Sequence, residues 1–387
     1  MSALRAPFPW FGGKRRVAPE VWERFGDVPN YVEPFFGSGA VLLGRPAKHA
    51  AKIETVNDLD GFVANFWRSV AHDPEATARW ADWPVIEADL NARHAWLVGQ
   101  RESLRRRLEG DPDHFDPKIA GWWVAGVCGW IGSGFCSGDG PWIVRDGELV
   151  DRRGDLSNAG KGINRQMPHV SNAGQGINRQ MPHVGNAGKG INRKMPHLSN
   201  AGQGINRQMP HVGNAGKGAF IEEWFGTLAA RLRDVRVLSG DWTRCLTESL
   251  TTRHGVTGVF LDPPYGDEIE QTRVYATDSA TVSDDVRRWC LENGNDSRLR
   301  IALCGYEGEG HEALLDYGWT AHAWSAAGGY GGGRGGKGDE NRHRERIYFS
   351  PACIDLTVPD LFTMGDRECK TAPAGNRGLT TRTVEES

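Results

Sequence analysis

"YVEPFFGSGAVLL", Tyr31 to Leu43, decides how this chain is read. A short apolar run ends in an acid and a proline, turns through Gly37 and Gly39, and continues as the helix-like "AVLLGR". Strand, glycine turn and helix are the opening units of a parallel α/β sheet. Glycine lets the backbone turn tightly and lets a ligand come close to it. A structural turn would use the same glycines, and their spacing is not G-x-G-x-x-G. Glu33 adds the second signal, because an acid at the ligand-facing end of a strand suits a ribose or a cation.

Working outward, "IETVND" (Ile53–Asp58) reads as a second strand, and Phe62, Val63, Phe66 and Val70 follow at helical spacing. From about Ala76 to Gly132 the pattern is mostly helical and rich in tryptophan. "VRVLSGD" (Val235–Asp241), "GVFLD" (Gly258–Asp262), "LRIALCGY" (Leu299–Tyr306) and "RIYF" (Arg346–Phe349) read as further strands. Strands alternating with helices predict a parallel, doubly wound, Rossmann-like sheet. Ligands of such sheets lie at the carboxyl ends of the strands. The loops after Val32, Val56 and Leu261 would all open on that edge.

With 387 residues the chain is long enough for one large α/β domain and a second module. Its net charge of -3 carries no whole-protein basic signal, so any nucleic-acid footprint must be local. Seven scattered cysteines without a C-x-x-C pair predict reduced thiols rather than a disulfide framework or zinc site. No apolar run reaches the roughly 18 residues of a membrane span, and "MSALRAPFPW" lacks the apolar core of a signal peptide. A cytoplasmic monomer is the expectation.

The middle of the chain is an internal repeat. "SNAGKGINRQMPHV" (Ser157–Val170) recurs with a period of 14 residues through Val212, and a further partial copy ends at Gly218. Glycine turns and Met-Pro exclude a continuous helix, so short extended segments joined by turns are expected. No Asp or Glu occurs from Ser157 to Gly218, whereas Arg165, Arg179, Arg193 and Arg207 recur with several lysines, a pattern that suits a polyanion. Recent tandem duplication tolerated as a solvated insertion would explain the copies equally. His169, His183, His197 and His211 recur without acids or cysteines and are read as repeat decoration, with no metal site. A second glycine run, "GGYGGGRGGKG" (Gly328–Gly338), carries Arg334 and Lys337 and leads into Arg342 and Arg344; these are candidate phosphate contacts, with a flexible linker as the plainer reading.

"FLDPPYGD" (Phe260–Asp267) ends a buried strand with an acid and two residues that lack N–H donors. That sequence is rigid and aims a carboxylate and a backbone carbonyl past the sheet. Asp58, 25 residues beyond Glu33, stands where adenosine-type ligands have their ribose hydroxyls held, although Asp58 or Asp60 could equally cap a helix. Lys14 lies in a glycine turn beside Trp10 and Phe11, with reach toward a carboxylate or phosphate.

In order, "PFPWFGGK", "EPFFGSG", "NDLD", "SGDW" and "DPPY" resemble the motifs of the Dam-like, D12 class DNA adenine-N6 methyltransferases of phage and bacteria. The resemblance covers roughly Pro7–Asp60 and Arg236–Ser350. It implies S-adenosylmethionine as cofactor and double-stranded DNA as partner, with target recognition in the middle of the chain. It implies cofactor contacts for Trp10, Lys14, Glu33, Phe35, Gly37 and Gly39, a ribose contact for Asp58, a place near the cofactor's adenine for Asp241, and catalysis for Asp262, Pro263, Pro264 and Tyr265. The chemistry is coherent. The exocyclic amine of adenine is a poor nucleophile because its lone pair is delocalised into the ring. The Asp262 carboxylate and the Pro263 carbonyl, each accepting one N–H, would localise that pair, with Tyr265 as a stacking face. The base must be flipped out of the duplex to reach them.

The expected division is a catalytic domain of residues 1–60 and 225–352, a mostly helical target-recognition insert at 61–156, the repeat at 157–218 and a polar tail at 353–387. Cytosine N4 or an RNA adenine as acceptor, or a non-catalytic DNA-binding protein on a methylase frame, are the alternatives. The target sequence and any restriction partner stay open.

Overall fold

The computed structural model describes residues 4–8, 10, 13–47, 49, 53–83, 86–111, 113–130, 135–136, 142–145, 148–151, 219–264, 279–324 and 343–356. The repeat, Tyr265, the glycine run at 328–338 and nearly all of the tail lie outside the described residues.

Helix α1 (Ala18–Phe25) buries Val21, Trp22 and Phe25 and stops at Gly26, whose φ of 62° suits glycine. Strand β1 (Asn30–Glu33) is buried throughout, and the short helix α2 (Ala40–Leu43) follows it. After β2 (Ile53–Asp58), helix α3 (Gly61–His72) starts on Asp60, whose carboxylate accepts the Phe62 N–H at 2.9 Å. Three more helices follow: α4 (Pro74–Ala81), α5 (Glu87–Gly110) and α6 (Pro117–Gly129). Asp73 and Asp116 cap α4 and α6, each directly before a proline at the first helical position.

A small antiparallel pair, β3 (Trp142–Arg145) and β4 (Glu148–Asp151), stands beyond the helical pattern of about 76–132, within the insert at 61–156 expected to be mostly helical. The chain is next described at α7 (Ala219–Leu232), then β5 (Val235–Ser239), β6 (Thr257–Leu261), α8 (Ser279–Asn293), β7 (Leu299–Tyr306), β8 (Thr320–Ala323) and β9 (Glu345–Phe349).

Seven strands form one sheet in the order β5-β2-β1-β6-β7-β9-β8. The first five are parallel, whereas β9 pairs antiparallel with both β7 and β8. The antiparallel edge departs from the all-parallel reading, because antiparallel neighbours need no crossover helix and periodicity does not reveal direction. The order reverses between β1 and β6. That switch point leaves a crevice at the carboxyl ends of the strands, beyond Glu33 and Leu261.

Side-chain alternation divides the core. Phe260, Ala302 and Cys304 join Trp22, Phe66, Trp67, Trp123 and Phe225 on one face. Val259, Leu261, Ile301 and Leu303 join Val286, Cys290 and Trp319 on the other. Buried residues of α3, α4, α5 and α6 belong to the first of these clusters, so those helices share the core of the sheet. Among the described residues, five cysteines are buried and Cys353 partly so, all as free thiols. No described helix is long and apolar enough to cross a membrane.

A buried ionic group ties α7 to β2. Glu54 accepts from Arg45 at 3.0 Å and from Arg231 at 2.6 and 2.8 Å. Arg45 also donates to the Val28 carbonyl at 2.7 Å, and Arg231 to that of Leu42 at 3.2 Å. Removing one partner of such a group strands the remaining charge. Glu54→Leu should therefore destabilise the protein by about 3 kcal/mol, read from urea unfolding midpoints, while Arg231→Lys loses less.

Candidate active site

The glycine turn after β1 is held from three sides. The Gly37 N–H donates to Asp58 Oδ2 at 2.8 Å, and the Gly37 carbonyl accepts from Trp67 Nε1 at 2.9 Å. Gly37 has φ of 47°, and a Cβ there would lie 2.3 Å from Trp10 Nε1, so Trp10 packs against a position only glycine can fill. Gly39, with φ of 68°, starts α2. Asn57 links neighbouring strand ends: its Nδ2 donates to the Pro34 carbonyl at 3.1 Å and the Gly240 carbonyl at 2.9 Å.

Asp58 is 5 % exposed, and its Oδ1 accepts the Asp60 N–H at 2.8 Å. Burial, and after it the neighbouring Asp60 charge, pushes its carboxyl up to about 7 against these two hydrogen bonds. Asp58 thus accepts from two N–H groups of the loop's own backbone, and a ribose would meet its remaining lone pairs. Glu33 stands on the same side of β1 as Tyr31, whose hydroxyl donates to Glu33 Oε2 at 2.8 Å. Burial is the main reason the Glu33 carboxyl lies well above the usual range, with Asp262 adding to the shift and the Tyr31 hydroxyl opposing it.

Across the crevice, Lys14 Nζ lies 2.9 Å from Asp262 Oδ1. Lys14 opens a 3₁₀ turn (Lys14–Arg16) and is buried. Burial alone would lower its pKa, but Asp262 first, and then Cys304 and Glu345, reverse the sign and hold it above the ordinary lysine value. Trp10, Lys14, Glu33, Phe35, Ser38 and Asp262 line one cleft. Residues far apart in sequence are thereby brought to one place. Phe35 stacks on Trp242 with ring centroids 6.1 Å apart, bringing the β1 loop against the β5 loop. Pro263 is buried and Pro264 partly exposed directly beyond Asp262.

Other candidates stand apart from the cleft lining. Asp241 is exposed and caps the 3₁₀ turn Trp242–Cys245 by accepting the Thr243 N–H at 2.9 Å. Arg344 is half-buried, and its guanidinium donates twice to the Glu307 carbonyl, at 3.1 and 2.9 Å, which ties it to the end of β7. Tyr265, Arg165, Arg179, Arg193, Arg207, Arg334, Lys337 and Arg342 lie outside the described residues. Among the described residues, no group of three or more His, Cys, Asp or Glu is placed to hold a metal ion.

Sequence reasoning passed over Asn57, Tyr31, Trp67 and Ser38. Asn57 was within the quoted "NDLD", and Tyr31 was recoverable from its period-two relation to Glu33.

The seven-stranded, mostly parallel α/β sheet with its crevice beside the "DPPY" strand is consistent with a methyltransferase fold. Residues 10–84 match the family model described as D12 class N6 adenine-specific DNA methyltransferase. That family supports an adenine-specific DNA methyltransferase as the enzyme class. The match takes in Trp10, Lys14, Glu33, the glycine turn and Asp58, and ends before β6. No curated protein matches the chain.

Because the folded carboxyl of Asp58 titrates above its unfolded value, its contribution to stability is full below about pH 4 and is lost as pH rises through about 7. Glu33 acts with the same sign. Urea unfolding measured from pH 4 to 8 should show that decline. Asp58→Asn should flatten it while lowering overall stability by about 1–3 kcal/mol, since an amide NH2 would then face a backbone N–H donor.

Proposed function

We propose that the chain transfers the methyl group of S-adenosylmethionine to the exocyclic amine of a flipped-out adenine in DNA. The observation that carries this reading is the meeting of Asp262, Glu33 and the clamped Gly37 loop at the switch point of the sheet. The donor is a sulfonium, a cation. Glu33, buried and with its carboxyl well above the usual range, would gain a cationic neighbour when that donor enters, which supports Glu33, Trp10, Phe35, Gly37 and Gly39 as the cofactor's surroundings. Asp58 would act chiefly by shaping the loop, and Asp241 from the adjoining β5 loop.

The acceptor amine would give one N–H to the Asp262 carboxylate and the other to the Pro263 carbonyl. Both acceptors follow directly on β6, so the strand and the prolines fix their separation. Transfer is then an in-line displacement at the methyl carbon that depends on alignment more than on a strong base. Tyr265 is the proposed stacking face.

Residues 1–60 and 225–352 are the proposed catalytic part, with target recognition at 61–156. Arg165, Arg179, Arg193 and Arg207 of the repeat, and Arg334, Lys337, Arg342 and Arg344 near the end of the sheet, are proposed to bind phosphates.

Protein mixed with methyl-labelled cofactor and unmodified duplex should place label in N6-methyladenine; label in cytosine, or none, would contradict the reading. Asp262→Ala should lower kcat by about 10²- to 10³-fold while cofactor affinity changes little, measured by calorimetry and single turnover. Deleting residues 157–212 should weaken DNA binding and flatten its salt dependence, by about 0.9 in the log–log slope for each phosphate that the repeat neutralises. An unchanged slope would remove the repeat from the DNA interface.

A further inference from the structure

The family resemblance implies a cofactor contact for Lys14, and its geometry ties it to Asp262 as well. Lys14 is 5 % exposed and its ammonium lies 2.9 Å from an oxygen of Asp262, itself 17 % exposed. The Trp324 ring lies 5.4 Å from Nζ on another side. The ionisable groups around the pair come from every strand that borders it: Glu33 on β1, Cys304 on β7 and Glu345 on β9. The Lys14 ammonium therefore feels the charges of both Asp262 and Glu345, and Glu33 in turn feels that of Asp262. Without that ammonium, neighbouring negative charges and burial both favour a proton on a carboxyl. A protonated Asp262 would donate a hydrogen bond where the reaction needs an acceptor.

We propose, resting on the methyl-transfer reading above, that Lys14 is a positioning residue for Asp262. It fixes the carboxylate through Oδ1, turns Oδ2 toward an N–H of the substrate amine, and keeps the group ionised as an acceptor. In the reaction the nitrogen lone pair forms the new N–C bond, and the S–C bond breaks with its electrons going to sulfur. The nitrogen carries the positive charge until one of its protons leaves to solvent. Lys14 withholds Asp262 from taking that proton.

The test uses the full-length protein and compares wild type, Lys14→Met, Lys14→Arg, Asp262→Asn and the double variant in single-turnover transfer as a function of pH. S-adenosylhomocysteine affinity is measured in parallel by calorimetry. Lys14→Met should lower the rate at neutral pH by about 100-fold, with the affinity for S-adenosylhomocysteine within about threefold of wild type. Its acidic limb should move up by about one pH unit or more, and Lys14→Arg should return the limb toward wild type. Once Asp262 is neutral, further loss of Lys14 should change the rate by less than about threefold, because the lysine acts through that charge. This last comparison decides the matter even where Lys14→Met alone does not fold, since the double variant removes both members of the ion pair together.

An active wild type whose acidic limb is unmoved in Lys14→Met would overturn the proposal alone. So would a double variant about tenfold or more below Asp262→Asn, or a Lys14→Met variant that keeps its rate but binds S-adenosylhomocysteine about tenfold more weakly. A wild type that transfers nothing to adenine would remove the underlying reading and this proposal with it.

Discussion

The ion pair between Lys14 and Asp262 spans the crevice where β1 and β6 part, and the candidate chemistry is arranged around it. An N-terminal turn is held against the end of the central strand by a contact between two groups shielded from water. In such surroundings a charge acts over its neighbours much more strongly than at the surface. It follows that Glu33, Glu345 and Cys304 all feel the pair, and that the thiol of Cys304 is pushed up by burial and by Asp262 beyond it.

Around that pair, rigidity comes from hydrogen bonds between loops. The Gly37 peptide is gripped by Asp58 through its N–H and by Trp67 through its carbonyl. Asn57 bridges the loops after β1 and β5. Each of these side chains satisfies a backbone group that a buried turn would otherwise leave unpaired. The same contacts hold open the space that a ligand would enter. Precision at the crevice is thus a by-product of satisfying the turn's own polar groups.

Much of the frame was legible beforehand. β6 and β7 are apolar runs, β1 and β2 are short strands that end in acids, and the Gly37 and Asp58 loops fall at one sheet edge as expected. Direction was less visible: β9 looks like any other strand in sequence, because an antiparallel neighbour leaves no mark on period-two patterning. The β3–β4 pair, Trp142–Arg145 and Glu148–Asp151, lies beyond the tryptophan-rich helical pattern, in a short stretch for which no strand was read. Pairing was least visible. That Lys14 reaches Asp262, or that Arg231 reaches Glu54, depends on how distant segments pack, and local spacing does not encode it. Asp58 shows a further limit. Its place after β2 fits a ligand contact, yet the nearest donors turned out to be the chain's own amides.

The free thiols carry one more consequence. Cys128, Cys136, Cys245, Cys290 and Cys304 are buried, and burial pushes every one of them up, away from the thiolate form that reacts. Alkylating reagents and mild oxidants therefore meet these sulfurs only when the surrounding structure opens. The rate at which each becomes labelled is a local clock of breathing motions. Cys304, beneath the crevice, times the very region where base and cofactor would have to come and go.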